Sequence, residues 1–290
     1  MQDDELAGTL LAPAKVNLAL HVTGRRADGY HLLETLVVFP RAIADRIEIE
    51  PADRDLLTVT GEFREGVPTD RGNIVLKALD LCRAQAGELG IGVPPLSITL
   101  EKNLPHGAGI GGGSADAAAL LSHLARLDPA LGERLASLSA GLGADVPMCM
   151  AGSPQVARGI GDELEPVALS AGFGILLVNP RRPVPTPAVF KALVNRSNTP
   201  LPAMPPKGFG TTEALLNWLK ATRNDLQETA VSIEGAIAEA IGAIEREDAL
   251  LARMSGSGAT VFGLFETPEI ARDRAERLRA SRPDWWIRAA

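Results

Sequence analysis

The stretch Pro105-His106-Gly107-Ala108-Gly109-Ile110-Gly111-Gly112-Gly113-Ser114-Ala115-Asp116-Ala117-Ala118-Ala119 decides how this chain is read. It holds five glycines in the seven residues from Gly107 to Gly113, which leaves backbone amides uncovered and permits positive φ. The Ala/Leu run that follows has helical spacing and predicts a helix over about 114–127, with Ser114 and Asp116 in its first turn. Uncovered amides at the positive end of a helix dipole make an anion site, and phosphate is the expected occupant. A plain glycine turn and a dinucleotide fingerprint are the competing readings. Gly107, Gly109 and Gly112 do spell G-x-G-x-x-G, but that fingerprint needs a strand running straight into its first glycine. Here Lys102-Asn103-Leu104-Pro105-His106 intervenes, and no second strand with an acidic end follows about 20 residues on. A Walker loop fails because no Lys-Ser or Lys-Thr follows the last glycine. A nucleotide triphosphate loop of another kind remains, and it needs support elsewhere in the chain.

Around this loop the chain reads as strands first and mixed elements later. Leu10–Ala12, Val16–Val22, Thr35–Phe39 and Arg46–Glu50 alternate as strands, Asn73–Gln85 has helical spacing, and Leu96–Leu100 is a short strand. A second helix over about 131–140 is expected to stop at Gly141 and Gly143 in left-handed geometry. Gly174–Val178 reads as a buried strand, followed by the proline-rich loops 180–187 and 199–206 around a short helix near 187–194. Helices near 213–222, 226–230, 233–244 and 269–279 and a strand over 259–265 complete the chain. This order suggests an α+β fold of two lobes, residues 1–165 and 166–290.

The 290 residues are 46% hydrophobic and 22% charged, which excludes a disordered chain. Aromatics are only 4%, so Ala, Leu, Val and Ile must build the core, and Tyr30 is the single tyrosine. A net charge of −7 argues against nucleic acid as the main partner. Cys82 and Cys149 lack metal-ligand spacing and are expected in the core, which fits a reducing, cytoplasmic setting. The acidic start and the lack of a long apolar run predict neither a secretory signal nor a membrane span. Oligomeric state, monomer or homodimer, is not legible.

Three further motifs support the triphosphate loop: Pro13-Ala14-Lys15-Val16-Asn17, Gly143-Ala144-Asp145-Val146-Pro147, and Arg253-Met254-Ser255-Gly256-Ser257-Gly258 before a strand. Together with 105–119 they resemble the motifs of the GHMP kinase superfamily. The resemblance implies a two-lobed fold with the active site in the cleft between lobes, an ATP loop at 105–115, and Mg²⁺ as cofactor. It narrows to the branch that acts on cytidine diphosphate-linked methylerythritol through Thr23 to His31, Pro185-Thr186-Pro187 with Phe190-Lys191, and Asn224-Asp225. It covers about residues 10–265 in the expected order. Ile110 stands where leucine is usual, and Ala115 replaces the second serine of a pair, which leaves hydroxyl contacts near the magnesium to Ser114.

By this resemblance ATP meets Pro105, Gly107, Ala108, Gly109, Ile110, Gly111, Gly112, Gly113, Ser114 and Ala115. Asp145 is the expected base for the substrate hydroxyl, and Lys15 the cation that favours its carboxylate and the developing alkoxide. Asn17 lies two residues along the same strand face and is expected to orient substrate. Tyr30 and His31 are expected to recognise cytosine, by stacking and by polar contacts, with Phe190 closing the other side of the ring. Thr186 would contribute a hydroxyl, and Gly256, Ser257 and Gly258 would shape the substrate side beside the triphosphate loop. Asp116 is expected to cap its helix rather than reach magnesium through water, and His21, His106 and His123 to be structural or solvated. The alternatives are a mevalonate- or homoserine-type kinase of the same superfamily and a non-catalytic sugar- or nucleotide-binding relative.

Overall fold

The computed structural model describes residues 6–290. Strands β1 (Gly8–Pro13), β2 (Val16–Arg25), β3 (His31–Val38), β4 (Ala44–Pro51) and β5 (Leu56–Thr60) come first. Helix α1 (Ile74–Glu88) and strand β6 (Leu96–Glu101) precede helices α2 (Gly112–Leu124), α3 (Pro129–Leu138) and α4 (Val146–Ala151). Strands β7 (Gln155–Arg158), β8 (Glu163–Pro166) and β9 (Gly174–Asn179) lead to helices α5 (Thr186–Ala192), α6 (Thr212–Lys220), α7 (Gln227–Ile233) and α8 (Ala236–Glu245). Strands β10 (Leu251–Met254) and β11 (Val261–Phe265), helix α9 (Pro268–Ser281) and strand β12 (Trp286–Ala289) finish the chain.

These elements form two compact units. The first takes the described residues up to Ala14 with Ala44–His106 and Gly112–Gly152, and the second takes Lys15–Ile43, Gly107–Gly111 and Ser153–Ala290. In the first unit a sheet runs β1-β4-β6-β5, antiparallel except for the β5/β6 pair. β4 shows why it forms: Asp45, Ile47 and Ile49 are buried while Arg46, Glu48 and Glu50 are exposed, a period of two. Its apolar face packs with Leu96 and Ile98 of β6, Leu79 and Cys82 of α1, and Leu120 and Leu121 of α2. α1 starts where Asn73 Oδ1 accepts the Val75 N–H at 2.9 Å, and α3 where Asp128 accepts the Ala130 N–H at 2.8 Å ahead of Pro129.

The second unit holds two antiparallel sheets, β2-β3-β7-β8 and β10-β11-β9-β12. Val22, Leu176, Val178, Val261, Phe265, Ile237 and Leu278 share its core. No helix among the described residues is long and apolar enough to cross a membrane.

Several expectations are corrected. α2 begins at Gly112, two residues before Ser114, because Gly112 and Gly113 join the helix instead of the loop. α3 ends in a 3-10 turn over Ser139–Gly141, and neither Gly141 nor Gly143 has positive φ; the left-handed helix stop is Gly152, after α4. That short helix and strands β5, β7, β8, β10 and β12 went unread. Cys82 is buried as expected, but Cys149 is only half-buried.

Candidate active site

In the second unit the loop 107–111 alternates two kinds of residue. Gly107, Gly109 and Gly111 are left-handed, with φ of 57°, 73° and 64°, while Ala108 and Ile110 between them are buried. The apolar side chains anchor the segment, and the glycines turn the backbone in a way a Cβ would resist. Ile110 therefore fills a core position, and its departure from leucine leaves the loop's anchoring intact.

This loop rests on the second glycine turn. The Ser255 hydroxyl donates to the Gly109 carbonyl at 3.0 Å, and the Thr260 N–H donates to the Ala108 carbonyl at 3.2 Å. Gly256 (φ 55°) and Gly258 (φ 88°) bring the backbones close enough that a Cβ on Gly109 would lie 2.4 Å from the Ser255 carbonyl oxygen. The 254–258 turn thus packs directly against the loop. Asn224 Nδ2 fixes the turn from behind by donating to the Met254 and Gly256 carbonyls, each at 2.8 Å. Asp225 accepts the Val22 N–H at 2.7 Å.

Lys15 and Asn17 are both buried at the start of β2. The Lys15 N–H donates to the Ile110 carbonyl at 2.9 Å, and the Asn17 N–H to the Ser255 hydroxyl at 3.1 Å. Asn17 Nδ2 donates to Thr35 Oγ1 at 2.8 Å, and Thr35 donates on to the Ala19 carbonyl at 2.6 Å. This orients the amide and leaves Asn17 Oδ1, a buried acceptor, without a hydrogen-bond partner among the described residues. The β2/β3 register shifts between Asn17 and Ala19, a bulge at Leu18 whose carbonyl accepts from Arg253 Nη1 at 2.8 Å. Arg253 is itself buried, with Nη1 also on Thr222 Oγ1 and Nη2 on the Leu219 and Thr222 carbonyls. Burial pulls its guanidinium down to about 10, which still leaves it charged at neutral pH.

Tyr30 is 62% exposed, at the end of the Asp28–Tyr30 turn whose Asp28 carboxylate accepts the Tyr30 N–H at 3.2 Å. The His31 ring packs on Phe190, with centroids 4.8 Å apart and planes 30° from parallel. Burial, then the nearby Arg25 and Arg196 charges, hold the His31 imidazole below the ordinary histidine value. Its Nε2 is buried and has no hydrogen-bond partner among the described residues. Thr186 is exposed on the first turn of α5, and its hydroxyl meets the Ser257 hydroxyl at 2.7 Å.

In the first unit, Pro105 is buried, His106 is exposed against the Phe63 carbonyl, and Gly112 and Gly113 open α2. Ser114 is half-buried in the first turn and Ala115 is buried behind it. Asp145 is half-buried at the residue preceding α4, and its side chain makes no capping hydrogen bond there. Asp116 does not cap α2. It is buried and bonds Lys102 Nζ at 2.6 Å, and Asp45 grips the same ammonium. Asp45 Oδ1 also accepts the Leu104 N–H at 2.8 Å, so the cluster ties the end of β6 to the helix start. Burial raises the Asp116 carboxyl well above the ordinary range, while the two carboxylates outweigh burial and hold Lys102 above its usual value. The sequence reading assigns no role to Lys102, Asp45, Arg253 or Thr35, and takes Ser255 only as part of the 254–258 turn. Only Ser255 and Arg253 lay inside a motif that drew notice.

Among the described residues no group of three or more His, Cys, Asp or Glu side chains is placed to hold a metal ion. His21 and His123 are structural: His21 Nδ1 meets the Thr199 carbonyl at 2.9 Å and Nε2 accepts the Arg223 N–H at 3.2 Å, while His123 Nε2 meets the Leu6 carbonyl at 3.0 Å.

Comparison with known proteins agrees with this arrangement. The family model for the GHMP kinases N terminal domain matches residues 73–153, and that for the GHMP kinases C terminal matches 202–284. A 4-diphosphocytidyl-2-C-methyl-D-erythritol kinase of Mesorhizobium japonicum is 50% identical, covering 100% of this chain and 97% of its own length. The enzyme of that name from Brucella melitensis is 48% identical over 96% of this chain and 93% of its own. A crystal structure of a 4-(cytidine 5'-diphospho)-2C-methyl-D-erythritol kinase superposes with a TM-score of 0.76 at 36% identity, covering 98% of this chain and 97% of that one. The mevalonate kinase of L. major shares the fold alone, at TM-score 0.61 and 15% identity, covering 98% of this chain and 95% of that one. The chain belongs to the GHMP kinase family, in the branch of the 4-diphosphocytidyl-2-C-methyl-D-erythritol kinases.

Proposed function

We propose that this kinase transfers the γ-phosphoryl group of ATP to the 2-hydroxyl of 4-diphosphocytidyl-2-C-methyl-D-erythritol, giving the 2-phosphate and ADP in the non-mevalonate route to isoprenoids. The observation that carries the reading is the full-length likeness, half the residues identical, to enzymes of that name. Phosphoryl transfer asks a protein for a phosphate cradle, charge stabilisation and a positioned nucleophile. The left-handed glycines 107, 109 and 111 give the loop the kind of backbone from which a phosphate nest is built.

Asp145 is the base that accepts the proton of the 2-hydroxyl as its oxygen bonds to phosphorus. Lys15 stabilises the developing oxyanion. Asn17 Oδ1, held by Thr35 and otherwise unpaired, accepts a hydrogen bond from a substrate hydroxyl. His31, neutral at pH 7 and with an unpaired buried nitrogen, reads the amino edge of cytosine, and exposed Tyr30 stacks on the base. Phe190, packed on the His31 ring, closes the other side of the base. Thr186 and the 256–258 turn bound the diphosphate and sugar.

Mg²⁺ bound with ATP would neutralise charge on its phosphates. An ion held chiefly by phosphates and water needs few protein ligands, which fits a chain whose described residues offer no acidic cage. Ser114 is the side chain assigned to it; Asp116 is committed to Lys102.

A coupled ADP-release assay with Mg-ATP tests the reading. ADP release with the cytidyl compound, and none with mevalonate, homoserine or methylerythritol phosphate, is expected. Equal release with a base-free alcohol would remove the cytosine pocket, and silence with every alcohol would remove the kinase reading.

A further inference from the structure

Ser255 is fully buried and spends both halves of its hydroxyl on two separate segments. It accepts the Asn17 N–H at 3.1 Å and donates to the Gly109 carbonyl at 3.0 Å. One segment carries Lys15 and Asn17; the other is the glycine loop assigned to the phosphates. Its own backbone cannot drift. The Ser255 N–H donates to the Thr260 carbonyl at 2.9 Å, and Asn224 holds the carbonyls on either side, Met254 and Gly256. The Lys15 N–H also ties β2 to the loop, on the Ile110 carbonyl at 2.9 Å, a backbone bond that a change at Ser255 leaves in place.

We propose that Ser255 is a positioning residue for phosphoryl transfer, its hydroxyl setting the register of the phosphate loop against the strand that presents Lys15 and Asn17. The proposal rests on the kinase reading above. With the hydroxyl gone the loop keeps its backbone bonds to Lys15 and Thr260 at Ile110 and Ala108 but loses the bridge from Gly109 to Asn17, and Gly109 between them can shift. Each substrate still finds its own contacts, yet the γ-phosphate and the acceptor oxygen lose their mutual alignment. A misplacement of about 1 Å at a reacting centre costs on the order of 100-fold in rate. The loss therefore belongs in kcat, whereas a serine that merely filled space would affect melting and leave turnover of the folded enzyme alone.

The test compares the parent protein with Ser255→Ala and Ser255→Cys, the latter keeping volume and a weak donor and acceptor. Melting temperature is read first, and kcat and both KM values are then measured well below it. Expected is a kcat lowered about 10- to 100-fold in Ser255→Ala, a smaller loss in Ser255→Cys, and KM values for ATP and acceptor within about threefold of the parent. Should the alanine variant fail to fold, the cysteine variant carries the comparison by the same kcat-against-KM split. A kcat within threefold of the parent, or a loss confined to either KM, overturns the proposal while the kinase reading stands. A parent that releases no ADP with any alcohol overturns both.

Discussion

Replacing Gly109 by alanine adds a single methyl where the backbone is left-handed, φ 73°, and where two other backbone segments close in. The new Cβ would lie 2.4 Å from the Ser255 carbonyl oxygen, 2.9 Å from the Gly258 nitrogen and 3.0 Å from the Gly258 carbonyl oxygen. None of these atoms is the end of a flexible side chain, so the backbone must move. Gly107→Ala is the control: φ is 57°, and apart from its two chain neighbours no heavy atom of the described residues lies within 4 Å of its Cβ. Both variants meet the left-handed penalty of about 1–2 kcal/mol, and both gain the same stiffening of the unfolded chain. Only Gly109→Ala adds overpacking, about 1–3 kcal/mol. At about 2–4 °C per kcal/mol, it should melt roughly 2–12 °C below Gly107→Ala. The loop should also shift away from the 255–258 turn, raising the KM for ATP more than in the control. Thermal melts of the two variants, followed by ATP titrations, decide it. Equal melting temperatures with equal ATP KM values would refute the claim that the phosphate loop is seated on the second glycine turn.

Asp145→Ala should lower kcat by about 100- to 10,000-fold, the range for a lost general base, with ATP affinity by calorimetry unchanged; near-parent turnover would remove the assignment. Lys102→Met strips the cation from two buried carboxylates and should destabilise the fold by about 3–5 kcal/mol in urea titration. Asp116→Asn, which replaces a carboxyl that burial already pushes toward its neutral form, should cost less than half as much; the reverse order would contradict the cluster's description. Stability should also fall as pH drops below about 6.5, the unfolded histidine value. His21, His31 and His123 are all held below that value, each chiefly by burial, so the unfolded chain binds more protons there. Melting followed from pH 8 downward checks this, and replacing His21 by Asn should flatten the slope; an unchanged profile would exclude His21 as a contributor.

The elements legible in the sequence are those whose pattern is local. β4 alternates in isolation, α1 announces itself by Asn73 and its apolar spacing, and the glycine run declares its backbone freedom without any partner. The strands that went unread are short, and they exist because of neighbours. β7 and β8 are four residues each and hold their place by pairing with β3 and with one another. The division of the glycine run between loop and helix at Gly112 was equally invisible, since glycine permits both conformations. The residues proposed to bear chemistry, Lys15, His31 and the glycine loop in the second unit and Asp145 in the first, stand out by motif. The groups that hold them in place do not. Asp45 and Lys102 lie 57 positions apart in sequence, and Ser255 lies 238 from Asn17. Such pairings carry no local signature. Asp116 was misread for the same reason: an aspartate in a helix's first turns suggests a cap until a buried lysine from the preceding strand end is seen to claim it.

Phosphorus NMR of the reaction mixture addresses the central claim most directly. With Mg-ATP and 4-diphosphocytidyl-2-C-methyl-D-erythritol, the account predicts one new phosphomonoester resonance on the 2-position, growing in step with ADP while the diphosphate of the substrate stays intact. ADP accompanied only by inorganic phosphate, or a monoester at another hydroxyl, would contradict it.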